Sequence, residues 1–358
     1  MTNATATEGG QHFLVLDAMR GVAALMIGCL HAGQLILDQP TFGHAYLAVD
    51  FFFCLSGFVV AYAYQSRLLS GMSIADFVVR RMIRLWPLII LGAGLGTMVM
   101  IGGDPLRLPI VSETLFLGVL TTLLLPGGLL IGVQAYPPNN PVWSLFFEVV
   151  ANIVYGVTTK LRRKVLLHLS LIFSLVALVL IALVFDGLQH VGYDDPASFL
   201  AGFARVGYPF IAGVAIYSLQ LYSLRWRVSA VAILAVLTIL LVWPYHMNAS
   251  YDLVCIVMLF PILIILGSTS KPTRFLALYV FLGEISYPFY LLHQPILRMM
   301  KHVPHSLEAD ALSHYILPSA GILIAVFCSM LALRLYDMPL RRWLTSNRTQ
   351  GVRLVPIR

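Results

Sequence analysis

Residues 16–31 read LDAMRGVAALMIGCLH. The stretch opens an apolar helix, yet it carries Asp17, Arg20 and His31. An ionisable group inside a membrane helix is costly, so it points to a protein interior or a wet cavity and to a function there. Arg20 and His31 are three helical turns apart, which puts them near one face and roughly 16 Å apart along the axis. That spacing suits a long ligand lying across a membrane, charged at one end and reactive at the other.

The surrounding chain fits a membrane setting. Of its 358 residues 59% are hydrophobic and only 11% charged, and the mean hydropathy is +0.87. A soluble domain carries about 25% charged residues. The net charge of +7 reads as topology first, because basic residues sit in short loops between apolar runs. Nucleic acid is therefore not an expected partner, and the lipid bilayer is. Cys29, Cys54, Cys255 and Cys328 all fall inside apolar runs. They read as small buried hydrophobes rather than disulfides or metal ligands, and no metal is expected.

Apolar runs near the length a bilayer needs occur at residues 19–37, 45–64, 85–101, 143–158, 165–185, 199–219, 228–243, 253–268, 281–300 and 316–335. The stretch 113–131 is ambiguous. Basic residues decide it: Arg67, Arg80, Arg81 and Arg84 form one cluster, and Lys160, Arg162, Arg163 and Lys164 the next. Arg225 with Arg227, Lys271 with Arg274, and the tail arginines Arg341, Arg342, Arg348, Arg353 and Arg358 follow. A full crossing at 113–131 would put the first two clusters on opposite sides, against the positive-inside rule. The break Pro126-Gly127-Gly128 agrees with a segment that does not cross. The expected architecture is thus an all-α integral membrane bundle of about ten transmembrane helices. It has one outer re-entrant or interfacial segment, and both termini are in the cytoplasm. Residues 1–12 read as a polar tail, 13–344 as a single transmembrane domain and 345–358 as a basic tail.

Further polar residues interrupt the apolar runs. The second run holds Asp50 at its outer end and Ser56-Gly57 mid-span, where small residues favour close helix packing. Gly92 and Gly96 repeat that pattern. The first loop closes with VVRRMIRLWPL, residues 78–88. On a helix Arg81 and Arg84 are neighbours; two closely spaced guanidinium forks can hold a phosphate, or simply anchor the loop on the inner face. In QAYPPNNPVWSLFFEVVANIVYG, Trp143 suits the interface, whereas Glu148 lies inside the span and needs a partner. Arg205 needs one too. The pairs Asp194-Asp195 and Tyr245-His246 fall in expected outer loops and read as solvated. Glu284, Tyr287, Tyr290 and His293 recur at three-residue steps on one face of FLGEISYPFYLLHQPILRMM. With Arg20, His31 and Glu148 they imply a polar cavity. Two classes fit such a cavity: an enzyme, or a transporter or flippase for a glycan or other polar solute.

Five stretches, in order, resemble the acyltransferase-3 family of membrane acyltransferases: LDAMRGVAALMIGCLH, DFFFCLSGF, RRMIRLWPL, VWSLFFE and LGEISYPFYLLHQP. YDMPLRRWL is similar to that family's closing segment. Ala18 stands where a Gly is common, and Asp337 where a Glu is usual. The resemblance implies transfer of an acyl group, commonly acetyl from acetyl-CoA, to a hydroxyl of a sugar, a glycan or another acceptor. It implies that Arg20 and His31 are the family's first-helix Arg and His, that Arg81 and Arg84, with Arg80 beside them, bind CoA, and that Glu148 is the family's Glu. The chain resembles the stand-alone form and is expected in the inner membrane of a bacterium. Acyl transfer needs a base or a nucleophile. His31 is the candidate for either role; Glu148 could orient its imidazole, although the sequence does not show whether the two meet, and Arg20 could bind phosphate or stabilise developing negative charge. Asp17, Ser56, Trp143, Tyr287 and His293 are the expected cavity residues.

Overall fold

The computed structural model describes residues 13–39, 41–102, 111–161, 164–224, 226, 228–244, 248–272, 274–301 and 313–352. The side chains of 164, 313, 314 and 347–352 are not among them. Several expectations fall outside the described residues: the tail 1–12, Arg162, Arg163, Arg225, Arg227, Tyr245-His246, Arg353 and Arg358. The described residues are helical throughout, without strands. The helices are α1 Leu14–Ile36, α2 Ala48–Leu69, α3 Ile74–Ile101, α4 Val111–Thr122, α5 Val142–Thr158, α6 Lys164–Val184 and α7 Pro196–Ser218. There follow α8 Ala230–Val242, α9 Ala249–Val254, α10 Phe260–Thr269, α11 Leu276–Lys301, α12 Ser313–Ala332 and α13 Met338–Val352. Single π-helical turns, Cys255–Leu259 and Leu333–Asp337, join α9 to α10 and α12 to α13 into continuous rods.

Nine helices among the described residues are long and apolar enough to cross a membrane. The tenth expected crossing, at 228–243, is α8, with only thirteen helical residues, about 20 Å of rise. Its ends are nevertheless fixed at opposite faces. Ser270 Oγ, just past α10, donates to Val228 O at 3.0 Å. His44 Nδ1, just before α2, donates to Trp243 O at 3.1 Å. Extended residues on either side of α8 supply the missing length.

The centre of the bundle is built on backbone approaches that only glycine permits. Helices α1 and α11 run parallel. A Cβ on Gly21 would lie 2.4 Å from Leu282 O, and one on Gly283 would strike Asp17. In α2 and α7 the contact is reciprocal, Gly57 on Phe210 O and Gly213 on Cys54 O, each at 2.0 Å from a built Cβ. The small-residue reading of Gly57 therefore holds, as in other close membrane crossings. In contrast, only 17% of the apolar window in α6 is buried. That helix forms part of the lipid-facing rim.

Three expectations about boundaries change. Helix α3 starts eleven residues before the expected apolar run at 85, because Ser73 caps it: Ser73 Oγ accepts from Asp76 N at 3.0 Å and donates to Asp76 Oδ2 at 2.8 Å. Arg80, Arg81, Arg84 and Pro87 thus lie within the helix rather than in a preceding loop. The last span does not stop at residue 335, where the apolar run ends; it continues through the π turn into α13, which packs on α3. Trp143 is not an interfacial anchor but is 5% exposed, enclosed by Phe147, Tyr193 and the Arg205 guanidinium.

The segment at 113–131 is re-entrant. Helix α4 descends along α3, with Gly118 against Thr97, until Trp86 Nε1 donates to Thr122 O at 2.7 Å. The chain then turns through Leu124, whose φ is +60° and whose carbonyl accepts from Tyr136 Oη at 2.9 Å. A short 3₁₀ helix, Gly127–Ile131, begins the return. Pro138 O and Asn139 seat on Gly96 and Gly92 of α3. The broken backbone is thereby lined by protein on its inner side, the condition for such backbone at membrane depth.

Candidate active site

Three cavities lie in series beside α1. The first opens at the face that carries Lys160, Lys271 and Arg274, and is lined by Phe13, Asp17, Arg20, Tyr62, Arg84 and Glu284, among others. The middle one holds Arg20, Ser56, Arg81, Arg84, Glu148 and Tyr287. The third holds His31, Gln34, Asn140, Trp143, Gln189 and Tyr193. Neighbouring cavities share walls: Arg20 and Arg84 between the first two, Val49 and Tyr290 between the last two. Together the three cavities flank nearly the length of α1, from its first turn to its last.

Arg20 is fixed by α11 and by its own helix. Its Nε donates to Ser286 Oγ at 2.8 Å, and its Nη2 to Gly283 O at 2.9 Å. The same Nη2 lies 3.2 Å from Asp17 Oδ1. Arg81 Nη2 meets Glu148 Oε1 at 2.7 Å, and Ser56 Oγ donates to that oxygen, also at 2.7 Å. Tyr287 Oη donates to Leu85 O at 2.6 Å. Arg84 differs from these: it is exposed and has no ion-pair partner among the described residues, so its fork is available to an anion. Arg80 is exposed too, but it lines none of the three cavities.

His31 stands in the third cavity. Its Nδ1 lies 2.7 Å from His293 Nε2, and His293 Nδ1 lies 2.9 Å from Phe289 O. The question the sequence left open is settled by these partners: His31 and Glu148 do not meet. Glu148 is spent on Arg81 and Ser56 in the middle cavity, while the partner of His31 is another histidine. The reason is axial: Glu148 is level with the middle of α2, whereas His31 is near the end of α1 at the opposite face.

Sequence reasoning missed several residues of the third cavity. Asn140 N donates to Gln294 Oε1 at 2.8 Å; Asn140 Oδ1 and Gln189 Oε1 are buried without a hydrogen-bond partner among the described residues. Buried polar atoms of this kind call for a water or a ligand. The adjacent amides at the end of the proline-rich run Pro137–Pro141 were the available signal. Arg205, expected to need a partner, has one in Asp50: Nε to Oδ1 is 2.9 Å and Nη2 to Oδ2 is 2.6 Å. Its Nη1 donates to Leu188 O and Val191 O at 2.6 and 2.8 Å. This ties the loop above the third cavity to α2 and α7. In the same loop His190 Nδ1 sits 2.6 Å from Asp194 Oδ2, and that hydrogen bond raises the imidazole pKa above its usual value.

The profile of the family described as an acyltransferase domain, acyltransferase-3, matches residues 13–335. This chain belongs to the acyltransferase-3 family. The matched region contains every cavity residue named above. A curated relative, Protein 2 in picA locus of Rhizobium radiobacter, is 36% identical over 190 residues, 47% of this chain and 95% of that protein. No solved structure matches. The chain is thus a multi-pass membrane acyltransferase, and the transporter reading gives way to an enzyme of that family.

Proposed function

We propose that this acyltransferase takes an acyl group, acetyl in the simplest case, from acyl-CoA at its basic face. It delivers the group to a hydroxyl of a sugar or glycan at the opposite face. The observation that carries this reading is the line of cavities from exposed Arg84 to His31. The positive-inside rule assigns the basic face to the cytoplasm, where acyl-CoA is available, and in a bacterium the membrane is the inner one. Arg84 and Arg20 would receive the phosphate-bearing end of the donor, since guanidinium forks suit phosphate. Arg81, neutralised by Glu148, would shape the passage for the uncharged pantetheine arm. Asp17 and Ser56 hold Arg20 and Glu148 in place. The thioester end then arrives near Tyr290, at the wall shared with the third cavity. There His31 acts as general base toward the acceptor hydroxyl, or as the nucleophile that carries the acyl group. Trp143 and Tyr193 with the amides of Asn140 and Gln189 offer ring faces and hydrogen-bonding groups to a polyol.

The test is a transfer assay. Membranes containing the protein are incubated with acetyl-CoA labelled in the acetyl group. The expected result is label in a base-labile ester of a glycan fraction, dependent on the protein. Loss of donor without esterified acceptor, or no consumption at all by folded protein, would overturn the reading.

A further inference from the structure

We propose that His293 is a positioning residue that decides which nitrogen of His31 does the chemistry. The inference rests on the acyl-transfer reading for its consequence, but its geometric core stands alone. Phe289 O, a carbonyl oxygen, only accepts hydrogen bonds. His293 Nδ1, 2.9 Å away, therefore carries the hydrogen. In a neutral ring the other nitrogen, Nε2, is then bare. That bare nitrogen is 2.7 Å from His31 Nδ1, and the two rings are within 4° of parallel. A hydrogen must lie between them, and it belongs to His31 Nδ1. The remaining nitrogen of His31, Nε2, is left unprotonated. It has no partner among the described residues, on a side chain that lines the third cavity.

His293 itself is fully buried and lines none of the three cavities. It stacks on Phe289 at 15°, so it is held as rigidly as the helix that bears it. The arrangement does for His31 what a carboxylate does for the histidine of a hydrolytic triad: it fixes tautomer and ring orientation through the nitrogen away from substrate. The difference is that the orienting group is neutral.

When the acceptor oxygen forms its bond to the acyl carbon, its proton passes to His31 Nε2. The carbon–sulfur bond of the thioester breaks, and the same proton then leaves Nε2 for the departing sulfur. If Nε2 instead attacks the thioester, the carbon–nitrogen bond forms as the carbon–sulfur bond breaks. The Nδ1 proton then moves to His293 Nε2; when the acceptor oxygen bonds the acyl carbon, the carbon–nitrogen bond breaks, that proton returns to His31 Nδ1, and the hydroxyl proton goes to the thiolate. Both routes need Nε2 bare and Nδ1 protonated at the start.

Two variants and one spectroscopic measurement test this. His293→Gln places an amide oxygen where Nε2 was and keeps an acceptor for His31 Nδ1. His293→Leu keeps the bulk and removes the acceptor. The expected loss in kcat for His293→Leu is on the order of 10- to 100-fold, the range seen when a partner that orients an imidazole is removed. KM for acetyl-CoA should stay within about twofold, since the interaction matters beyond ground-state binding. His293→Gln should recover most of the rate. Nitrogen-15 spectra of histidine-labelled protein at mildly alkaline pH, with His31 identified by its loss in His31→Ala, should report Nδ1–H and bare Nε2. Equal damage from both variants would overturn the proposal, as would a His31 ring protonated at Nε2. The spectrum needs no activity, so a correct tautomer in a protein that transfers nothing would count against the acyl-transfer reading and not against the dyad.

Discussion

His31→Ala is expected to abolish acyl transfer, lowering turnover by about 10² to 10⁴-fold, the usual contribution of a positioned base, or more if the histidine carries the acyl group. The side chain is partly exposed to the third cavity and is anchored by one hydrogen bond to His293. Its removal deletes the reacting nitrogen without cutting into the glycine-mediated contacts between α1 and α11. The variant should still extract as a monodisperse protein and still bind acetyl-CoA, because Arg84 and Arg20 lie roughly three turns away. Turnover of labelled acetyl-CoA by the purified variant checks this; near wild-type turnover would remove His31 from the chemistry.

The largest stability effect is expected at the opposite wall of the same cavity. Asp50 is fully buried and Arg205 nearly so, and they meet through two hydrogen bonds of 2.6 and 2.9 Å. Asp50→Ala leaves a guanidinium inside the bundle with no carboxylate to answer it, only the Leu188, Val191 and Tyr46 carbonyls and the Trp143 ring face. Breaking a buried pair from one side costs about 3–5 kcal/mol. The unfolding midpoint in detergent should fall sharply, and the 185–192 loop should become accessible to protease. Replacing both partners, as Asp50→Leu with Arg205→Met, should recover most of the loss, since an apolar pair of similar volume is often neutral. An Asp50→Ala protein that unfolds at the wild-type midpoint would deny the pair its structural role.

Much of this architecture is legible in the sequence because the membrane imposes simple rules. Apolar length gives the crossings, and the basic clusters at 80–84 and 160–164 force the stretch between α3 and α5 to return to the face it left. Arg20, His31 and Glu148 stand out because a bilayer does not tolerate idle charge. Partnership is harder to read. Nothing in the spacing of Glu148 says whether it meets His31 or Arg81; that depends on how far along α5 the chain has travelled when α1 passes it. The stripe Tyr287, Tyr290 and His293 was visible as a period of three. Its division among the middle cavity, the shared wall and the back of His31 follows from the rotation of α11 against α1, which the glycine contacts set. Asn140 and Gln189 were overlooked because an amide in a loop usually faces water; the return of the re-entrant segment turns Asn140 inward, and the loop that Arg205 ties down carries Gln189.

The most direct measurement is acetyl-CoA binding by calorimetry to the protein in detergent, on wild type, Arg84→Ala and Arg80→Ala. The donor is expected to bind wild type saturably. Affinity should drop about tenfold or more in Arg84→Ala, equivalent to roughly 1.4 kcal/mol, and change little in Arg80→Ala, whose side chain lies outside the cavities. Folded wild-type protein that binds no acetyl-CoA, or an Arg84→Ala variant of unchanged affinity, would contradict the placement of the donor at the basic face.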